Sequence, residues 1–129
     1  MSYAVNQYRR AAGTTLSPRE AEAAAFVFVD RLLQGAESDA AQRMRALGRN
    51  HELWSMLMKD VGMDNNRLPP VLKQDLLFLG VWSMRYSIAA MGDDRELGPL
   101  RAINQDMIAA LRSDQRDAVL HAPALKLAG

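Results

Sequence analysis

At 129 residues the chain is long enough for one hydrophobic core and too short for two. Lys plus Arg number 16 against 15 Asp plus Glu, and 49% hydrophobic with 24% charged residues is an ordinary globular composition. Neither a nucleic-acid binder nor a protein of acidic membrane surfaces is advertised by a net charge of +1. With no cysteine, disulfides, thiolate metal sites and thiol nucleophiles are all excluded, which fits a reducing compartment.

Residues 1–16 carry Tyr3, Tyr8 and Arg9-Arg10 ahead of Gly13-Thr14-Thr15. They read as a short arm, helical or irregular, whose tyrosines either pack back on the body or fray as termini do. No apolar stretch follows the early charges, so no secretory signal is visible. Ser17-Pro18-Arg19-Glu20 is a helix start: Ser17 caps, Pro18 takes the first helical position and Glu20 completes a capping box. The helix runs to Gly35 with a stripe of Ala25, Phe26, Val29, Leu32 and Leu33. Val27 and Phe28 fall toward other sides, which implies apolar contact on two sides.

Ser38-Asp39 supplies the next cap. Met44, Leu47, His51, Trp54, Met58 and Val61 then recur at spacings of three and four, one face of a helix. Because the phase holds across Gly48, one continuous helix is expected, at a cost of about 1 kcal/mol relative to alanine there. Gly62, free to adopt a left-handed conformation, should close it. The polar run Met63 to Arg67 makes a turn, and Leu68-Pro69-Pro70 restarts a helix.

The third helix, Pro69 to about Met91, is the most apolar. Leu72, Leu76, Leu79 and Tyr86 hold one face and Val71, Phe78, Val81 and Ile88 another, with Trp82 between. A helix apolar nearly all round is usually buried, so it is expected at the centre of the bundle. Its longest apolar run, Leu76 to Met84, is too short to span a bilayer. After the turn at Gly92-Asp93-Asp94, a fourth helix carries Leu97, Leu100, Ile103, Met107 and Leu111. Either it begins at Pro99 or its first turn is irregular, because a proline deeper inside would break it. Beyond Arg112, Pro123 ends any helix, and the tail is either an appended remnant or an extension. No repeat and no strand alternation occurs. The expected fold is all-α, a small bundle of four main helices plus the N-terminal arm.

Catalysis needs convergent groups, and few are present. Of two histidines, His51 sits on an apolar helix face and reads as a hydrogen-bonded core or edge residue, and His121 lies in the tail. Glu52 and Asp60 are about 12 Å apart along one helix, too far for an acid–base pair. Phosphate loops, H-E-x-x-H and calcium loops are absent from the sequence. The chain is therefore not expected to be an enzyme or to need a cofactor or a metal. Arg43, Arg45 and Arg49 are the one handle for nucleic acid, and without a basic excess they read as a solvated face. Eight methionines offer soft surface that either fills the core or repacks against an apolar partner.

The pattern Arg49-Asn50-x-Glu52-x-Trp54, then Asp60, Asn66-x-Leu68-Pro69-x-x-Leu72-Lys73 and Trp82, resembles the FlaF family of flagellar biosynthesis proteins of alphaproteobacteria. Tyr8, Ser17-Pro18-Arg19 and Ile103-Asn104-x-x-Met107 extend the match colinearly from about residue 3 to residue 112. This makes residues 1–112 one FlaF-like domain and 113–129 a C-terminal extension. The resemblance implies a small cytoplasmic helical protein that binds unpolymerised flagellin as an export chaperone and regulates flagellin synthesis. It also implies two further partners, the export apparatus and a companion protein, FlbT, that acts on flagellin mRNA. Alternatives are direct contact with that mRNA through Arg43 to Arg49, or an adaptor role through FlbT.

Within this pattern Trp54, Leu57, Trp82, Ile103 and Met107 are expected as core anchors, and Ser17, Asn50, Asp60 and Asn66 as structural caps. Met56, Phe78, Val81 and Met84 are the candidate flagellin contacts.

Overall fold

The computed structural model describes residues 18–36, 38–66 and 68–113, so the N-terminal arm, Ser17, and the tail with His121 lie outside the described residues. Four helices follow one another: α1 (Pro18–Gln34), α2 (Ala40–Val61), α3 (Pro70–Gly92) and α4 (Gly98–Arg112). The fold is all-α, with no strand among the described residues.

Each helix is delimited by local chemistry. α1 begins on Pro18 and carries Glu20 in its first turn and Arg31 in its last, charges that oppose the helix dipole. Asp39 caps α2: its Oδ1 accepts from the backbone N–H of Ala41 at 2.8 Å and of Gln42 at 3.0 Å. The helix passes through Gly48 unbroken, where an added Cβ would meet nothing within 4 Å. At the other end Gly62 keeps φ −79°, not the left-handed value expected, and its N–H simply continues the ladder to Met58 O at 2.9 Å. α4 begins at Gly98, which puts Pro99 in the first turn, where its missing N–H has no partner to lose.

α3 packs chiefly on α2, α4 on α1, and α1 and α2 lie against one another, while α3 and α4 barely meet. The largest fully buried apolar side chains come from α1, α2 and α4, and α3 adds Leu72, Leu76 and Leu79 to the same core. Phe26, Leu33, Leu47, Trp54, Leu100 and Ile103 are all within 1% of complete burial, and Phe26 meets Trp54 edge-on at 5.4 Å between ring centroids. Leu57 and Met107 are buried beside them.

A chain of buried hydrogen bonds crosses this core. Trp54 Nε1 donates to Asn104 Oδ1 at 2.9 Å, Asn104 Nδ2 donates to Asn50 Oδ1 at 2.8 Å, and Asn50 Nδ2 donates to Ser87 Oγ at 2.9 Å and Ser83 Oγ at 3.2 Å. Ser87 Oγ donates onward to Ser83 O at 2.7 Å. Asn50 is thus no cap. It lies within α2, fully buried, and joins α4 to α3. Drawing Asn50 inward rotates α2, so Leu53 and Leu57 are buried with Leu47, Trp54 and Val61, while Met44 is exposed and His51 and Met58 sit at the rim.

Two other expected caps are also corrected. Asp60 lies within the last turn of α2, where a carboxylate is unfavourable to the dipole and serves no terminus. Asn66 Oδ1 accepts from Leu68 N at 3.0 Å and shapes the loop, but the residue flanking α3 is Pro69, which makes no side-chain cap.

The expectation that α3 is central does not hold. Its inward face is made of Leu72, Leu76 and Leu79 and then of small residues, Gly80, Ser83, Ser87 and Ala90. A Cβ on Gly80 would fall 2.5 Å from Cγ and Sδ of Met58, so the Met58 side chain lies over α3 in the space that a side chain at position 80 would take. The bulky residues consequently turn outward. Trp82, expected in the core, is 36% exposed and lies against Tyr86 at 5.0 Å between centroids.

Candidate interaction surface

The outward side of α3 is an uncovered apolar face. Val71 is 68% exposed, Phe78 62% and Ile88 54%, and Val81 and Trp82 stand partly exposed beside them. Large apolar residues scattered singly on a surface carry no message, but these follow one another along one side of one helix.

Two shallow grooves flank this ridge. One, of about 450 Å³, runs between α2 and α3 and is walled by His51, Met58, Val81, Met84 and Ile88. The other, of about 350 Å³, lies on the far side, between Phe78, Val81, Trp82, Tyr86 and the Arg95 side chain. Val81 and Arg85 belong to both. The expected contact set is thereby divided. Val81 and Met84 share the first groove, Phe78 and Val81 the second, and Met56 lines neither, because its position on α2 lies well away from that of Met58. Met58 and Ile88, which also line the first groove, are not among the contacts expected from the sequence. Val71, Phe78, Val81 and Ile88, separated by seven, three and seven residues, share one side of the helix and are the sequence signal for this face, but nothing in that spacing tells which face of α3 remains open.

The end of α3 is held by groups from two elements. Arg43 of α2 donates from Nη2 to Ala90 O and Asp93 O, both at 3.1 Å, and to Arg95 O at 2.7 Å, satisfying carbonyls in and just beyond the last turn. Tyr86 donates its hydroxyl to Glu96 O at 2.6 Å, and the Arg95 guanidinium lies 5.1 Å from the Tyr86 ring centroid. Arg95 in turn is forked onto Asp93, holding that exposed carboxyl below its ordinary range. Arg43 is therefore committed inside the protein, and Arg49 pairs with Glu52 at 3.4 Å.

A third concavity, of about 280 Å³, opens at the end of the bundle where α1 and α3 begin and α2 and α4 finish. Leu57, Val61, Leu72 and Met107 wall it, with Glu22 and Asp60 among its polar groups. Burial, reinforced by the Asp60 carboxylate, pushes the Glu22 carboxyl up to about 7. No group of three or more His, Asp or Glu side chains able to hold a metal occurs among the described residues. No described helix is long and apolar enough to cross a membrane.

The model of one protein family, described as flagellar protein FlaF, matches residues 4–111 of the chain, including all of α1 to α3 and nearly all of α4. A search of the curated proteins and one of the solved structures find no match.

Proposed function

The chain belongs to the FlaF family of flagellar proteins, and from that premise we propose that it is a cytoplasmic, non-catalytic chaperone that holds unpolymerised flagellin before export and couples that hold to flagellin synthesis. The supporting observation is the groove between α2 and α3. Its walls are apolar and methionine-rich, from Met58, Val81, Met84 and Ile88, and it runs along a ridge that no other described element covers. An amphipathic helix lays its apolar side into such a groove at spacings of three and four, and flexible methionines let the groove fit segments of differing sequence. Terminal helical segments of flagellin are the occupant that the family relationship favours. A held segment is unable to polymerise, and its release delivers it to the export apparatus.

Binding through contact with flagellin mRNA has less support, since Arg43 is spent on the α3 terminus and Arg49 faces Glu52. An adaptor role through FlbT would use the same apolar surface and differs in leaving flagellin unbound.

Titration calorimetry of the full chain against monomeric flagellin, at two salt concentrations, separates these readings. The expected result is binding that tolerates salt, carries a negative heat-capacity change and disappears with a flagellin lacking its terminal helices. Absence of binding to intact flagellin overturns the chaperone reading, and steeply salt-dependent binding to the message in its place would favour the RNA alternative.

A further inference from the structure

The outer side of α3 has an order that the groove does not explain. Between residues 71 and 88 the exposed positions are Val71, Gln74, Phe78, Val81, Arg85 and Ile88, with Trp82 alongside. The six recur at alternating steps of three and four, which is the heptad seam by which one helix packs against another. Their chemistry is also mirrored about the midpoint between Leu79 and Gly80. Phe78 and Val81 are equidistant from it, as are Gln74 and Arg85, and as are Val71 and Ile88.

We propose that this seam pairs with the same seam of a second copy of the chain, the two α3 helices running antiparallel about a two-fold axis. In that arrangement Phe78 meets Val81 of the partner and Val71 meets Ile88, each contact made twice, while the Gln74 amide oxygen accepts from Arg85. An isologous interface requires such self-complementarity. A parallel pair would instead set Arg85 against Arg85 and leave two like charges facing each other.

The seam is about 26 Å long at the helical rise of 1.5 Å per residue. With two partly exposed aromatics and three aliphatics it covers roughly 500 Å² on each copy, the low end for a specific interface, so the dimer exchanges with monomer. Val81 and Ile88 belong both to the seam and to the groove between α2 and α3. A partner helix seated in that groove therefore competes with the second copy, and self-pairing keeps the apolar ridge covered when the groove is vacant. The pairing itself does not depend on what the groove binds.

The natural absence of cysteine allows a direct test. Q74C and R85C variants of the full chain are oxidised separately and as a mixture. Both positions are exposed, and within one chain they lie about 16 Å apart along the helix, well beyond disulfide reach. The mixture should give a cross-linked heterodimer at least ten times faster than either variant alone. Sedimentation equilibrium of the unmodified chain should show a monomer–dimer exchange that Phe78→Glu abolishes. Cross-linking of Q74C with itself as readily as with R85C would overturn the antiparallel arrangement. A chain that stays monomeric into the hundreds of micromolar range overturns the pairing altogether. If in that case flagellin shields the thiol of the R85C variant from maleimide, the seam belongs to flagellin and not to a second copy.

Discussion

Asn104 donates from Nδ2 to Asn50 Oδ1 at 2.8 Å, across the buried core that separates α4 from α2, while its own Oδ1 accepts the Trp54 indole N–H. Each amide is satisfied on both ends, so neither can be altered alone without orphaning a buried group. Asn104→Ala leaves Trp54 Nε1 and Asn50 Oδ1 unpaired and should destabilise the protein by about 2 to 4 kcal/mol. Asn104→Asp keeps the acceptor for Trp54 but cannot donate to Asn50 when ionised, and should be destabilising as well. Urea unfolding followed by tryptophan fluorescence measures both. A loss below about 0.5 kcal/mol for Asn104→Ala would mean that the network contributes nothing to stability.

Gly80→Ala tests the packing of Met58 over α3. Alanine gains about 1 kcal/mol in helix propensity, but its Cβ would fall 2.5 Å from Met58 Cγ and Sδ. Overpacking of this kind costs about 1 to 3 kcal/mol, so the net change should be destabilising or at best neutral. Removing the obstruction decides the cause: in the background of Met58→Ala, Gly80→Ala should be stabilising. The coupling is read from a double-mutant cycle of midpoints in urea.

Glu22 should make the protein less stable as pH rises. Its carboxyl titrates at about 7 when folded against an ordinary value of 4.5, because burial and then the nearby Asp60 carboxylate disfavour its charge. The folded state thus holds a proton that the unfolded chain has given up, and stability falls from about pH 4.5 until the penalty is complete above about 7. The full penalty is on the order of 3 kcal/mol. Glu22→Gln should therefore raise the melting temperature by several degrees at pH 8, with the advantage shrinking toward pH 5. Thermal scans across that range that show parallel curves for the two proteins would rule this out.

The two tryptophans should behave differently despite similar sequence settings. Trp54 is fully buried with its indole N–H satisfied, whereas Trp82 is 36% exposed on the outer ridge. Trp54→Ala should cost about 3 to 5 kcal/mol through the cavity it leaves, and Trp82→Ala only about 1 to 2 kcal/mol because its site opens to water. Acrylamide should quench the emission of a Trp54→Phe variant, which retains Trp82, far more than that of Trp82→Phe.

Val81→Lys separates surface function from stability. Val81 borders both grooves and is partly exposed, so a lysine there should change unfolding free energy by less than about 1 kcal/mol. On the proposed function, flagellin affinity should fall at least tenfold, read by calorimetry, while circular dichroism remains that of the parent chain.

Local determinants were legible from the sequence alone. Pro18 and Asp39 begin helices, Pro99 falls in the first turn of α4, and the unbroken periodicity across Gly48 makes α2 one element. Each of these follows from hydrogen-bonding or steric rules acting within a few residues. The burial of Trp54, Ile103 and Met107 was equally legible, because each lies on a helix with one dominant apolar side.

What only the tertiary structure decided is which way α3 faces. Apolar residues surround that helix, so periodicity offers two candidate inner sides and no reason to choose. The choice is made by other helices: Met58 needs the space that Gly80 leaves, and Asn50 needs Ser83 and Ser87 as hydrogen-bond acceptors. The same pairing turned Asn50 from an expected cap into the buried link between three helices and put Trp82 and Phe78 at the surface. A residue's own spacing reports that it will be helical and apolar-faced. Burial depends on the shape and polarity of a partner tens of positions away, and that information exists only once the two surfaces meet.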